Sequence, residues 1–302
     1  MNFHPSPRLF ASVSLLLILA LSACSVPGRL NLVPASPTPL PSPTPTPTPT
    51  ATLVPLAVSV NGEGISIPEF NAELARYRQA QTALGNTVSL ADATKTVRDE
   101  FVDTLLLEQA ATAGGYKVDA AALQSRIDSL DTQIGGPAKL TAWETAHGYT
   151  DTEFRTDLRR QMAAALMRDK IAASIPATAD QVHVMQILLY NEAAAQQALG
   201  YLKSGWTFTD LAAQYDPVAK GELGWFPRGY LFDPAVENAA FALQPGQYSD
   251  IIQTQAGYDI LYLVERDPNH LLSPDALLTL QEHAVQNWLT QHRNESKILF
   301  AP

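Results

Sequence analysis

From Pro34 to Pro55 the sequence reads PASPTPLPSPTPTPTPTATLVP, and neither a helix nor a sheet can be built through it. Each proline removes a backbone donor and fixes φ, so an alternating Thr-Pro run favours extended polyproline II. The tract divides the chain of 302 residues into a short leading piece and a long following one. Only the long piece can bury a sizeable core.

The leading piece has a pattern of its own. Arg8 precedes the apolar run Leu9–Leu21, which ends in Leu21-Ser22-Ala23-Cys24. A basic flank, a short apolar core and small residues before a cut site make a secretory signal peptide, too short to span a bilayer comfortably. Leu-Ser-Ala-Cys resembles a bacterial lipobox, which implies cleavage before Cys24 and its lipidation. The alternative is an ordinary signal peptide with a coincidental cysteine. Cys24 is the only cysteine, so no disulfide forms within one chain. The Thr-Pro run then reads as a semi-rigid spacer, at ~3.1 Å per residue, between a membrane surface and a folded domain.

A net charge of −10 and the lack of any Lys/Arg cluster argue against a nucleic-acid partner and against a polybasic membrane face. Beyond residue 55, Val58 and Val60 alternate as in a short strand, Asn61-Gly62 gives a turn, and Ser66-Ile-Pro-Glu69 has a capping-box pattern. Helical stripes follow: Val97, Phe101, Val102, Leu105 and Leu106; then Leu123, Ile127 and Leu130; then Phe154, Leu158, Met162 and Leu166 behind the Thr150–Glu153 cap. After Pro176 the texture changes to VHVMQILL (Val182–Leu189), two short helices, and the strand-like DIIQT and YDILYLVE, with Pro268 ending the unit. Strands with interspersed helices and hairpin-like returns suggest an antiparallel α+β domain. A last amphipathic helix carries Leu277, Leu280, Ala284 and Trp288 and needs a surface to cover; the helical region before Pro176 supplies one.

The densest motif is Gly221-Glu-Leu-Gly-Trp-Phe-Pro-Arg-Gly229, followed by Ala-Ala-Phe-Ala-Leu from Ala239, Pro245-Gly246, and Ser249 through Thr254 to Gly257-Tyr258. In order and spacing these pieces resemble the parvulin-type (PpiC, rotamase) peptidyl-prolyl cis-trans isomerase domain. Val60-Asn-Gly and Glu69-Phe70, with the helices around them, look like the N-terminal chaperone domain of SurA- and PrsA-like foldases. The resemblance implies an α+β fold. A parvulin-like domain, with a four-stranded antiparallel sheet and surrounding helices, is inserted in a mainly α-helical SurA/PrsA-like domain. The expected boundaries are a lipoprotein signal peptide at 1–23, a disordered Pro/Thr-rich linker at 24–55, a helical domain at 56–178, a parvulin-like domain at 179–268 and a returning C-terminal helix at 269–302.

Carried over by position, the family's proline pocket falls on Leu223, Leu231 and Val236, where the family commonly has Met at the second place and Phe at the third. Its acidic or cysteine residue falls on Asp216, in a loop several residues shorter than usual; a turn-forming Asp before Pro217 is the other reading. The family's two histidines are replaced by Gln186 and Asp259. His183 lies three residues from Gln186, so alternation points it to the opposite face. Gln186 can donate to the Asp259 carboxylate, which suggests a polar pair in place of the histidines, with Asp259 half-buried. His147, His270, His283 and His292 lack metal-ligand spacing, and neither a metal nor a cofactor is expected.

What the resemblance implies is an extracytoplasmic foldase on the outer face of a bacterial cell membrane. It would be anchored through the lipid on Cys24 and would isomerise X-Pro bonds in unfolded, proline-containing clients. The alternative is a non-catalytic chaperone that binds chains with a degenerate parvulin domain.

Overall fold

The computed structural model describes residues 55–301. The expected signal peptide, Cys24 and nearly all of the Pro/Thr-rich tract lie outside the described residues.

Strands β1 (Leu56–Val60) and β2 (Glu63–Ser66) pair antiparallel across a turn in which Asn61 and Gly62 both have positive φ, 54° and 92°. That is the twist a two-residue hairpin demands, and Asn-Gly supplies it at little cost. Helices α1 (Ile67–Ala83), α2 (Leu90–Ala113), α3 (Ala120–Ile134), α4 (Pro137–Ala146) and α5 (Asp151–Ala172) follow. Ser66, Ser89, Asp119 and Thr150 cap four of them by accepting backbone N–H groups, each worth about 1 kcal/mol. The Thr150–Glu153 box closes in both directions. Glu69 does not close its own box: its carboxylate turns instead to Arg160.

After Pro176 come β3 (Thr178–Leu189), α6 (Glu192–Lys203), α7 (Phe208–Tyr215), β4 (Glu222–Pro227), α8 (Pro234–Ala242), β5 (Ile252–Gln253) and β6 (Tyr258–Leu271). The strands form the expected four-stranded antiparallel sheet in the order β4-β3-β6-β5. Met185, Ile187, Leu189 and Ile260 pack on α6 and α7. Val182, Val184, Leu261 and Leu263 pack on α8 from the other face. Alternation along β3 and β6 thus feeds two cores at once.

The sheet extends further than expected. Rather than ending at Pro268, β6 runs to Leu271, because Pro268 falls where the β3–β6 register shifts and the ladder needs no donor. Thr178 pairs with Leu271, and the Leu272 N–H donates to the Ala177 carbonyl at 2.9 Å. The two connections to the helical part therefore leave side by side, as one paired neck.

Helix α9 (Pro274–Glu295) returns, as the amphipathic stripe demands, and β7 (Ile298–Phe300), which periodicity did not reveal, adds a third strand beside β1. Ala284, Val285, Trp288 and Leu289 of α9 pack on Leu107 of α2 and Ala164 and Ile171 of α5. The α2 stripe is buried against Val58, Val60, Ile65 and Phe70. In α5, Phe154, Leu158 and Met162 meet Leu123, Ile127 and Leu140. Leu166 is exposed, contrary to its place in the stripe, because the packed face of α5 passes to Ala164 and Ile171 where α9 replaces α3 as the neighbour. Among the described residues no helix is long and apolar enough to cross a membrane.

Two arginines tie the helices together. Arg293 of α9 donates to Asp103 of α2 at 2.6 Å. Arg160 of α5, only 9% exposed, reaches Glu69 of α1 at 2.7 Å and Glu108 of α2 at 3.4 Å. Burial pushes the Glu108 carboxyl above its usual range, and the Arg160 charge pulls it part of the way back. A cation shared by three helices leaves two poorly solvated carboxylates when it is removed. Arg160→Ala is expected to lower stability by about 2–4 kcal/mol in urea unfolding, whereas Lys95→Ala, which breaks the exposed pair with Asp99, should cost less than about 0.5 kcal/mol.

Candidate active site

The α8 face of the sheet carries the expected polar pair. Gln186 lies opposite Leu261 and Asp259 opposite Leu188, so the two are diagonal neighbours on one face, within reach of a long amide side chain. Gln186 Nε2 donates to Asp259 Oδ1. The other carboxylate oxygen accepts from Thr254 Oγ1 at 3.0 Å. Asp259 is 1% exposed, which corrects the expectation of a half-buried group: β5 and the Thr254–Gly257 turn cover it. A carboxylate that deep persists only with its acceptor positions occupied, and Gln186 and Thr254 occupy both oxygens.

Thr254 is the member that motif reading passed over. Besides holding Asp259, its Oγ1 accepts the Gly257 N–H at 3.2 Å, which orders the turn before β6. Its presence in the Ser249–Tyr258 run was visible in the sequence; its polar contact across the turn was not. His183, as expected, joins none of this: its ring meets Glu222, Glu265 and Trp225.

Of the three expected pocket residues, Val236 and Leu231 come together. Val236, 7% exposed, belongs to the apolar cluster on Val182, Val184, Phe226, Leu261 and Leu263, and Leu231 packs against it half-buried. Leu223 is not in that cluster. In the β3–β4 ladder Val184 faces Gly224 and Met185 faces Glu222, so Leu223 is the unpaired residue of a bulge and projects outward, 37% exposed. Gly224 makes the bulge possible with φ +77°.

Glu237 is a second residue that sequence reasoning missed. From α8 its Oε2 accepts the backbone N–H groups of Gly229 at 2.8 Å, Tyr230 at 3.2 Å and Leu231 at 3.4 Å. The loop carrying Leu231 is thereby pinned to the helix carrying Val236. A carboxylate eight residues downstream of a glycine turn is the only sequence trace of this contact.

Asp216 ends α7, and its carboxylate is taken up by its own loop. It accepts from the N–H groups of Val218 at 3.2 Å, Ala219 at 3.0 Å and Gly221 at 3.2 Å. These donors, Ala219 first and Gly221 next, hold its pKa below the usual carboxylate range. The loop then meets β3: the Gln186 N–H donates to the Gly221 carbonyl at 2.6 Å. A Cβ on Gly221 would lie 2.3 Å from the Gln186 carbonyl oxygen, so only glycine fits there. Two cavities lie away from this loop. One of about 380 Å³ separates α9 from the Arg228–Gly229 turn, and one of about 230 Å³ lies between α1 and the start of α5.

Comparison with known proteins places these elements. Residues 177–276 match the PPIC-type PPIASE domain, and residues 54–151 match the SurA-like N-terminal domain. The foldase protein PrsA of Bacillus subtilis is 28% identical over 173 residues, covering 54% of this chain and 58% of that protein. The chaperone SurA of Methylobacillus flagellatus is 30% identical over 146 residues, covering 41% of this chain and 33% of that protein. The crystal structure of a PrsA peptidylprolyl isomerase from Bacillus cereus is 22% identical, covers 80% of this chain and 89% of that one, and superposes with a TM-score of 0.45. The chain thus spans rather more than half the length of its Bacillus subtilis relative.

Two outcomes follow for the site. Gln186→Leu, which leaves the Asp259 carboxylate one donor short, is expected to cost about 2–4 kcal/mol of stability in chemical denaturation. The double variant Gln186→Leu/Asp259→Leu should recover at least half of that, the signature of a coupled pair. Because the Asp216 pKa is depressed, its hold on the loop is present in full above the ordinary carboxylate range. It is lost as pH falls through the lower folded value. Amide exchange at Ala219 and Gly221 should therefore stay slow at pH 4–5 relative to Asp216→Asn and converge with it only in stronger acid.

Proposed function

From a chain whose residues 177–276 are a PPIC-type PPIase domain and whose residues 54–151 are a SurA-like N-terminal domain, we propose a bacterial extracytoplasmic foldase that isomerises X-Pro bonds in secreted polypeptides. The reading includes lipidation at Cys24, a spacer at 24–55, a helical client-holding domain at 56–178 completed by the helix within 269–302, and an isomerase domain at 179–268. Leu231 and Val236 take the proline side chain, with Leu223 at the rim on its bulge, and Gln186, Asp259 and Asp216 serve as the site's polar groups.

One observation carries the reading: the Gln186–Asp259–Thr254 network keeps a rigid, satisfied floor on the sheet face that bears Leu231 and Val236. The chemistry asks for little else. Rotation about an X-Pro bond crosses ~18–20 kcal/mol because amide resonance is lost at the twisted state. No bond is cleaved and no electron moves. An apolar seat for the ring disfavours the solvated planar amide relative to the twisted one, and each ~1.4 kcal/mol of difference is tenfold in rate. The histidines' replacement by an amide–carboxylate pair leaves this mechanism its two requirements, shape and desolvation.

A second reading has its own support. Val236 is packed into the core and Asp216 is consumed by its loop, which suits a domain that binds or braces chains without turning them over. The two readings separate in one assay, isomerisation of an Ala-Pro tetrapeptide by the protein and by Leu231→Ala. Acceleration over the spontaneous rate, reduced about tenfold or more in the variant, is expected. No acceleration by the parent protein would favour the holding chaperone.

A further inference from the structure

The bulge that projects Leu223 is closed by a carboxylate, and that carboxylate is held by a histidine. Glu222 Oε1 accepts the Gly224 N–H at 2.9 Å, spanning Leu223 from one side to the other. The same oxygen lies 2.5 Å from His183 Nε2 on the neighbouring strand. His183 sits opposite Trp225 in the ladder, and its ring stacks on the indole at 5.4 Å. Its Nδ1 is buried without a hydrogen-bond partner, and the Glu265 carboxylate of β6 is 3.6 Å away. On the far side of Trp225, His270 stacks at 3.9 Å and pairs with Asp267 at 3.4 Å.

The ring is thus placed between two carboxylates, one from each flanking strand. A cationic imidazole has a donor for both; a neutral one has a single N–H, and its other nitrogen turns a lone pair toward an anion. If the proton stays on Nε2, Glu222 keeps only a neutral donor. If it stays on Nδ1, Glu222 faces a lone pair and the oxygen that closes the bulge is released. Both neutral forms loosen the turn around Leu223.

We propose that His183 is a positioning residue for the proline pocket: its protonated ring holds Glu222 so that the Glu222–Gly224 bulge presents Leu223. Seating of the proline ring then follows the protonation of His183, tightening when the ring is charged and slackening when it is neutral. The inference rests on the isomerase reading of the pocket, but the hold on Leu223 can be measured without any turnover.

The test follows the Leu223 methyl groups, the Gly224 amide and the His183 ring by NMR on the whole chain between about pH 5 and 8. The expected result is one shared midpoint for all three, with Leu223 and Gly224 flat in His183→Gln, whose amide donates at every pH. They should be flat as well in Glu222→Gln, which keeps the acceptor and loses the charge. In the peptide assay, KM should rise about five- to tenfold across that midpoint with kcat unchanged, the difference between a charged and a neutral donor. Leu223 and Gly224 signals that ignore pH while the His183 ring titrates would overturn the proposal. So would an unchanged titration in His183→Gln, which would assign it to His270 or another group. A protein without isomerase activity that still shows the shared midpoint would refute the catalytic reading and leave the His183–Glu222 hold standing.

Discussion

The pairing of β3 with β6 is the constraint on which the rest of this molecule depends. It begins at the neck, where Thr178 meets Leu271, and runs to Leu189 opposite Tyr258. One end joins the sheet domain to the helices; the other sets Gln186 diagonal to Asp259. A slip of one residue in either strand would turn its polar side chain toward α6 and α7 and its isoleucine away from them, so the two apolar cores enforce the register that the polar pair needs. The shifts near Pro268 and His183 are where the strands absorb twist without losing that register.

Around this spine the site is held by backbone donors caught on carboxylates. Asp216 gathers three N–H groups of its loop, Glu237 gathers three from the Gly229–Leu231 turn, and Glu222 closes the bulge at Leu223. Each of the three segments is an irregular stretch next to an apolar surface, where unpaired backbone groups would be costly. Carboxylates, which only accept, are well suited to that task. The consequence is a candidate site in which acidic side chains shape the walls, while the surface between them, with Leu231 and Val236, is aliphatic.

The helical part obeys a different rule. Its segments come from both ends of the described chain: β1 is flanked by β2 and β7, and α9 lies on α2 and α5. Trp288 touches both the cluster beneath the three-stranded sheet and the one between α2 and α5, so the returning helix completes two cores. Separating the ends would leave the α2 stripe half covered, and the paired neck keeps the two connections of the sheet domain side by side.

Much of this was legible in the order of the residues. The Asn61-Gly62 turn, the Ser66 and Thr150 caps, the α2 stripe, the alternation of Val182 to Leu189 and the Gly221–Gly229 motif are local signals, set by φ preferences and by periods of 2 and 3.6 residues. The Gln186–Asp259 bond was an expectation of the resemblance, which set the two residues at neighbouring places, and of chemistry, since an amide can donate to a carboxylate. Contacts between segments remote in sequence were beyond such signals. Thr254 beneath Asp259, Glu237 on the Gly229–Leu231 loop, β7 beside β1 and the exposure of Leu166 depend on which element lies next to which, and periodicity is silent about neighbours. The sequence by itself determined most of the elements and their turns, because those are decided within a few residues, and the resemblance pointed to the polar pair. Only the tertiary structure decided that Asp259 is fully buried and that Leu223 stands out on a bulge, because burial and register belong to strands brought together from opposite ends of the domain.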